Sequence, residues 1–252
     1  MRIASREKNK IKFNSSHTNY INSNGDYVPS VTTILKMLAK DDALMVWANS
    51  LGWKKKSYKK ELETTAIIGT LAHSFCEYTF NKDEELLSQV KDQMSKLDND
   101  ALQQTLNAIN SFKAWHSENK DKIEIIGTEL ILSCNDFGGT TDLVCKYNNK
   151  RILLDYKTSG AFYMTQFLQL AAYTIMYEKK YKKKIEDVAV LRLDKKHGHK
   201  AELLMLSSLP NGNLEYYKEI FKKIVEVYKL HYILVNDWDE YNAMLKHGLL
   251  IN

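Results

Sequence analysis

Hydrophobic positions along the chain predict helices first and then strands interleaved with helices. Apolar residues recur at helical spacing in segments at 31–39, 44–53, 65–80, 84–118, 162–180, 216–235 and 238–246. Strands are predicted at 124–133, 138–144, 152–159, 188–193 and 201–206, with Gly198 marking the turn between the last two. This order favours an α/β fold, an α+β sandwich with a central mixed β-sheet of about five strands flanked by helices.

The predicted organisation is one compact domain with an N-terminal elaboration. Residues 1–28 are polar and rich in Asn and Ser, which indicates an extended arm or a small hairpin. Ser30 or Thr32 is a plausible N-cap for the helix that follows. We therefore expect an N-terminal arm and helical segment at 1–64 and a core at 65–252, with a helical insertion around 84–118.

The pair Asn148–Asn149 predicts a tight hairpin turn between two strands, because Asn tolerates the left-handed conformations that such turns need. If the loop has two residues, Tyr147 pairs with Lys150. Counting back along the antiparallel ladder then places Asp142 directly opposite Asp155 on the same face of the sheet. A three-residue loop would turn Asp142 to the other face.

Asp142, Asp155 and Lys157 form the candidate catalytic set. In that register the Cβ atoms of the two aspartates lie roughly 4.5–5.5 Å apart, close enough to share one divalent cation. Lys157 projects from the same face, because it lies two residues beyond Asp155. Two acids and one ammonium suit phosphodiester cleavage, in which the metal gathers the phosphate and the lysine orients the attacking water. Like charges opposed across a hairpin destabilise it, so an ordinary surface would rarely carry this pair.

The cysteines and the lengths of the apolar stretches bear on the cellular compartment and on whether an iron–sulfur cluster is expected. The three cysteines, Cys76, Cys134 and Cys145, show no paired spacing and are interpreted as reduced core thiols. Three thiolates are too few for an iron–sulfur cluster, so none is expected. With no apolar stretch of roughly 18 residues and no apolar N-terminal signal, we expect no membrane association and a cytoplasmic location.

Charge is mildly basic and uneven along the chain. The net charge is +5, with lysines concentrated at 54–60, 179–184 and 195–200. Such clusters suit a polyanionic partner, although solvated helix ends would have the same composition.

Four short motifs in a fixed order carry a family resemblance. These are Gly-Thr-Leu-Ala-His at 69–73, Gly-Thr-Thr-Asp at 139–142, Asp-Tyr-Lys-Thr at 155–158 and Gln-Leu-Ala-Ala-Tyr at 169–173. Together they resemble the PD-(D/E)xK nuclease superfamily and its restriction-endonuclease-like core. The RecB-type branch, with phage exonucleases and the mitochondrial genome maintenance exonuclease, is most similar; Val-Pro-Ser-Val-Thr-Thr at 28–33 resembles the last group. One departure is that Thr141, not proline, precedes the first aspartate.

The resemblance implies a ligand set for a divalent metal. His73 would bind it from a helix beside the sheet, together with Asp142, Asp155 and the backbone carbonyl of Tyr156. Glu129 on the preceding strand would be an additional acid. A lone histidine on an apolar helix is more often a satisfied core residue, so that alternative stays open for His73.

The resemblance also implies substrate contacts. Gln169 and Tyr173, one helical turn apart, would line the site and hold the lysine or DNA, unless they serve only core packing. Ser30 and Thr32 are further candidates for DNA contacts, with helix capping as the alternative. Glu77 shares a helical face with His73 and is either a support for its ring or a surface residue. Trp47 and Trp53 could stack on unpaired bases, but buried packing is the preferred interpretation.

The predicted function is a Mg²⁺- or Mn²⁺-dependent deoxyribonuclease. By resemblance it is an exonuclease acting on single-stranded DNA or DNA ends in replication, recombination or repair, in a bacterial or phage-infected cell. A recombination or replication protein is a candidate partner. The alternatives are a restriction-like or structure-specific endonuclease, and a DNA-binding accessory protein of this fold with weak catalysis. Polarity, strand preference, oligomeric state and the number of metal ions stay open.

Overall fold

A computed structural model of the protein describes residues 19–38 and 41–246, and excludes the side chains of residues 41–44 and 239–246. The helices are α1 (Val31–Leu35), α2 (Asp41–Trp53), α3 (Tyr58–Asn81), α4 (Glu84–Met94), α5 (Asn99–Asn119), α6 (Met164–Tyr181) and α7 (Leu214–Lys246). The strands are β1 (Tyr20–Ile21), β2 (Tyr27–Val28), β3 (Ile123–Ser133), β4 (Gly138–Tyr147), β5 (Lys150–Lys157), β6 (Asp187–Arg192) and β7 (Glu202–Met205).

The central sheet has five strands in the order β3-β4-β5-β6-β7. Three of its pairings are antiparallel, and the pairing of β5 with β6 is parallel. A parallel pair needs a crossover, and α6 provides it. The expected α+β architecture with a mixed central sheet is confirmed.

Side chains of the central strands alternate between two hydrophobic cores. Val144 and Leu153 belong to the core that includes residues of α1, α6 and α7. Leu143 and Leu154 belong to the second core, with residues of α3 and α5. Since both faces are covered, the middle of each strand is a continuous apolar run, Leu143–Cys145 in β4 and Ile152–Leu154 in β5, and an aspartate directly beside each run stands out.

The hairpin between β4 and β5 has the predicted two-residue turn. Tyr147 pairs with Lys150, and the ladder continues without a bulge to Leu143 and Leu154. Asn148 and Asn149 both adopt the left-handed conformation, with φ of 48° and 66°. The predicted register is therefore confirmed as far as the ladder extends.

The N-terminal hairpin is attached to the edge of the site-bearing strand β4. The part of the predicted arm at residues 1–18 lies outside the described residues, whereas 19–28 form the short hairpin β1–β2. Ser30 caps α1 as expected, since its side chain accepts a hydrogen bond from the Thr33 N–H at 3.0 Å. Gly138 N–H donates to the Pro29 carbonyl at 3.0 Å, which fixes this segment against the start of β4.

Two predicted helix boundaries differ from the structure. The helices expected at 216–235 and 238–246 are one continuous helix, α7, because no Gly or Pro interrupts that stretch. The helix expected from residue 65 begins at Tyr58, where Ser57 caps it, so the proposed segment boundary at 64 and 65 falls inside α3.

Two further expectations concern aromatic and thiol side chains. The preferred buried placement of Trp53 is wrong: it is 84% exposed, because it stands at the last position of α2. Trp47 is partly buried against the Tyr58 ring, with centroids 5.3 Å apart. The three cysteines are free thiols, as expected, although only Cys76 and Cys145 are fully buried.

None of the described helices combines the length and apolarity that crossing a membrane requires.

Candidate active site

The candidate site lies where β4 and β5 stop pairing. Their last ladder pair is Leu143 with Leu154, although both strands continue beyond it. One residue further, Oδ2 of Asp142 accepts a hydrogen bond from the Tyr156 N–H at 2.7 Å. The carboxylate of Asp142 thus takes the place of a backbone partner at the point where the two strands separate. We call this gap between β4 and β5, which begins at Asp142 and Tyr156, the fork.

The Tyr156 carbonyl faces the same fork. In a β-strand the N–H and C=O of one residue point to the same side, so the carbonyl follows the N–H that bonds to Asp142. The Tyr156 ring points to the α3 side of the sheet, where it meets the His73 ring edge-on with centroids 5.7 Å apart.

Asp155 is a buried carboxylate beside Lys157. It is 2% exposed, and its Oδ2 atom is buried. The Lys157 Nζ lies 2.5 Å from that oxygen as an ion pair. Burial raises the pKa of Asp155 to about 6, opposed by the Lys157 ammonium and reinforced by the charge of Asp142. A carboxyl group with a raised pKa favours a cation that compensates its charge.

Asp142 shares this electrostatic environment. Its pKa is raised by burial, while the Lys157 ammonium and the Tyr156 N–H oppose the rise. Alternation along the strands places Asp142 in line with Val144 and Asp155 in line with Leu153, residues of one core. This alternation puts both carboxylates on one face of the sheet, one residue beyond the last ladder pair.

His73 reaches the fork from α3. Its Nδ1 is 3.5 Å from Oδ2 of Asp142, and its side chain is 28% exposed. Burial lowers the pKa of His73 to about 4, with a further contribution from the Lys157 charge. The imidazole is therefore neutral near pH 7, which is the form that binds metals. Glu77, the suggested support for His73, accepts a hydrogen bond from the Asn81 amide at 3.2 Å.

Gln169 and Tyr173 approach from α6 on the opposite face of the sheet. The Gln169 amide donates to the Tyr173 hydroxyl at 2.7 Å, and Tyr173 is buried. Burial raises the pKa of Tyr173, and the charges of Asp155 and Asp142 contribute to the rise. A Cβ atom on Gly139 would lie 2.3 Å from Cε1 of Tyr173, so only glycine lets this ring lie against β4.

Glu129 occupies a strained position across from Asp142. The β3–β4 register pairs Thr128 with Leu143 and Leu130 with Thr141, which leaves Glu129 and Asp142 between these pairs. Its φ is 48°, a left-handed value inside a strand. Such backbone strain in a non-glycine residue is concentrated at functional sites.

Ser30 and Thr32 lie beside this region rather than within the fork. They line a cavity of about 410 Å³ together with residues of the β1–β2 hairpin. The Tyr20 hydroxyl is 3.1 Å from the Thr140 hydroxyl of β4, two residues before Asp142. Sequence reasoning did not single out Tyr20, because a tyrosine in a polar N-terminal segment carries no signal without its long-range partner.

The donor atoms in the fork fit a hard divalent cation. Two carboxylates and a backbone carbonyl are the oxygen ligands that Mg²⁺ prefers, and the buried Asp155 carboxylate faces the Lys157 ammonium. Within the described residues, no three His, Cys, Asp or Glu side chains converge as a metal cluster. Asp142, Asp155 and the Tyr156 carbonyl would therefore hold the ion, with water and substrate phosphate completing its coordination.

The comparison with protein families agrees with this geometry. A sequence model described as the PD-(D/E)XK nuclease superfamily matches residues 47–246, most of the chain. The chain belongs to the PD-(D/E)XK nuclease superfamily. No curated protein matches it well enough to serve as a relative.

Membership in the PD-(D/E)XK superfamily makes the chain a nuclease of this group. A nuclease of this family would act on DNA, and its members typically use divalent metals such as Mg²⁺. The five-stranded mixed sheet flanked by helices is consistent with the restriction-endonuclease-like fold of the superfamily. The match begins within α2, so part of the segment predicted at 1–64 falls inside the family region.

Proposed function

We propose that the protein is a divalent-metal-dependent DNA exonuclease that acts on single strands or DNA ends in replication, recombination or repair. The observation that carries the proposal is the fork, in which Asp142 and Asp155 share one electrostatic environment beside Lys157. The exonuclease mode is supported by the four ordered motifs that resemble the RecB-type branch. A recombination or replication protein is the candidate partner.

The acidic residues would act as ligands. Asp142, Asp155 and the Tyr156 carbonyl would hold Mg²⁺, or Mn²⁺ if the neutral His73 nitrogen joins them, since Mn²⁺ accepts nitrogen donors well. When bound, the cation supplies neutralisation of the phosphate charge that grows during hydrolysis. Glu129, which lies across the ladder from Asp142, is the additional acid of this proposal.

Lys157 would orient the attacking water. Burial lowers its pKa, but the carboxylates of Asp155 and Asp142 outweigh burial, so the pKa of Lys157 is raised. The side chain is therefore an ammonium near pH 7, which can donate hydrogen bonds to water and phosphate but cannot accept a proton. Its role is to hold the nucleophile in line and not to deprotonate it.

Gln169, Tyr173, Ser30 and Thr32 would contact the DNA around the scissile phosphate. The hydrogen bond from Gln169 to Tyr173 fixes both side chains behind the carboxylates. Ser30 and Thr32 present hydroxyls to the cavity next to the start of β4, where a strand entering the fork would pass.

The proposal is tested by digesting end-labelled DNA of three kinds: linear single-stranded, linear double-stranded and circular single-stranded. We expect Mg²⁺ or Mn²⁺ to support release of nucleotides from linear DNA and EDTA to abolish it. Circular single strands should persist, since they offer no ends. Cleavage of the circle would instead identify an endonuclease, and binding without any cleavage would identify an accessory DNA-binding protein.

A further inference from the structure

A second polar cavity adjoins the candidate site on the side of β6. It has a volume of about 300 Å³ and lies at the carboxyl ends of β5 and β6. Its wall begins with Thr158 and Ser159, which directly follow Lys157. The Leu193 N–H donates to the Lys157 carbonyl at 2.7 Å, so the chain after β6 is attached at the catalytic lysine.

The loop that closes this cavity is held in a fixed shape. The carboxylate of Asp194 accepts backbone hydrogen bonds from Lys196 at 3.0 Å and His197 at 3.1 Å. The side-chain amide of Asn107, on α5, donates to the carbonyls of Lys195 and Lys196. These contacts hold the loop against α5.

The cavity is lined by more lysine and arginine side chains (Arg192, Lys195 and Lys196) than carboxylates (Asp194 and Glu202). Arg192 pairs with Glu202 at 2.6 Å. Lys195 and Lys196, however, form no ion pair within the described part of the chain.

Among the described residues, no carboxylate forms an ion pair with Lys195. Burial and the neighbouring charge of Lys196 lower the pKa of Lys195. An anion placed between these two lysines would relieve that repulsion, because an opposite charge close by favours the ammonium form. The lysine cluster at 195–200 was noted from the sequence, but only the fold brings it to the carboxyl end of β5.

We infer that this cavity binds a phosphate group of the DNA strand, next to the phosphate that is cleaved. Lys195 and Lys196 supply the charge, and the Thr158 hydroxyl and neighbouring backbone supply polar contacts. Phosphate contacts of this kind fix the register of a strand without reading its sequence. The inference rests on the proposed nuclease function and adds a positioning site to it. The phosphate is either an internal linkage or the phosphate at a strand end.

Binding is measured by fluorescence anisotropy with single-stranded oligonucleotides in an Asp155→Asn background, with EDTA present to prevent residual cleavage. The test variant carries Lys195→Gln and Lys196→Gln. The matched control is Lys200→Gln, which removes a charge from the same loop but outside the cavity, where Lys200 pairs with Glu118 at 2.8 Å. We expect the test variant to bind about tenfold more weakly and to lose about 0.7 per phosphate contact from the slope of log K against log salt.

Modified oligonucleotides then locate the phosphate. A neutral methylphosphonate is placed at each linkage in turn, and terminal phosphates are present or removed. If one neutral linkage abolishes the difference between parent and test variant, the cavity holds an internal phosphate. If removal of one terminal phosphate abolishes it, the cavity holds a strand end.

Three results would overturn the inference: no loss of affinity, an equal loss in the Lys200→Gln control, or a loss that no single phosphate modification removes. Circular dichroism of each variant verifies that the fold is retained. Because these experiments measure binding without cleavage, their failure is distinct from failure of the nuclease function, which the digestion assay tests separately.

Discussion

At the scale of single residues, the proposed chemistry depends on Asp142, Asp155 and Lys157, whose pKa values are shifted by burial and by one another's charges. Asp155 is almost fully buried, and the Lys157 ammonium lies 2.5 Å from its Oδ2 atom. A buried carboxylate with a single cationic partner is costly to maintain for stability alone. We therefore interpret the pair as a prepared site for a cation and a phosphate.

Replacing either member of this pair should abolish catalysis while sparing DNA binding. Asp155→Asn removes a ligand, and Lys157→Met removes the ammonium while keeping the aliphatic stem. We expect each to lower the cleavage rate by about 10²–10⁴-fold. Glu124→Gln, at an exposed pair with Lys146 on the same sheet, is the control and should cleave at the parent rate. Cleavage by Asp155→Asn at the parent rate would exclude Asp155 as a metal ligand.

Metal affinity should depend on pH through Asp155. Its pKa in the folded protein is raised to about 6, so below that pH a proton must leave before a cation can bind. Affinity for Mn²⁺, measured by calorimetry, should rise about tenfold per pH unit up to about pH 6 and then level off. His73 does not limit this range, because its pKa is lowered to about 4. Equal affinity at about pH 5 and about pH 8 would contradict the assignment.

The residues that could be predicted from sequence are those tied to a local register. The two-residue turn at Asn148–Asn149 sets the count along one hairpin, and the ladder follows that count to Leu143 and Leu154, one residue short of the two aspartates. Tyr20 and the basic loop at 194–199 depend on long-range contacts, to Thr140 and Asn107, which no local pattern encodes.

At the scale of elements, the position of the fork depends on the turn that sets the β4–β5 register. Asn149 has a φ of 66°, which a β-branched residue adopts only with strain. Asn149→Val should therefore lower the free energy of unfolding by about 1–2 kcal/mol, whereas Asn149→Gly should be neutral or slightly stabilising. Urea denaturation of both variants checks this, and equal stabilities would contradict the left-handed turn.

The contact between α6 and β4 is a second element-scale feature. In Gly139→Ala the new methyl group would meet the Tyr173 ring, so the helix or the strand must shift. We expect a loss of about 1–3 kcal/mol in unfolding free energy, together with reduced cleavage. Gly160→Ala is the control, since a Cβ atom there meets nothing within 4 Å, and it should change stability by less than about 1 kcal/mol. Equal effects at both glycines would argue against the close contact.

Whether a segment is a helix or a strand could be predicted where its hydrophobic periodicity was strong. The residues at which helices begin and end could not. The five sheet strands and the crossover helix α6 lie close to their predicted ranges. The extra turns of α3 and the continuity of α7 were missed, because uninterrupted polar residues extend a helix without an apolar signal. Trp53 is exposed because its helix ends there, which composition does not reveal.

At the scale of the whole molecule, the candidate site lies between two helical layers, at the point where β4 and β5 stop pairing. Helix α3 contributes His73 from one face, α6 contributes Tyr173 from the other, and the sheet contributes the acids. The two cavities flank this point, one beside the N-terminal hairpin and one at the loop after β6. Superfamily membership could be anticipated from four motifs, whereas this arrangement required the folded chain.

The most direct test of the account is calorimetric titration of Mn²⁺ into the DNA-free protein and its Asp142→Asn and Asp155→Asn variants. The account predicts that the parent protein and the Glu124→Gln control bind the ion, whereas both aspartate variants lose that binding and keep a native circular dichroism spectrum. Undiminished binding by both aspartate variants, or no binding by the parent protein, would contradict a metal site in the fork between β4 and β5.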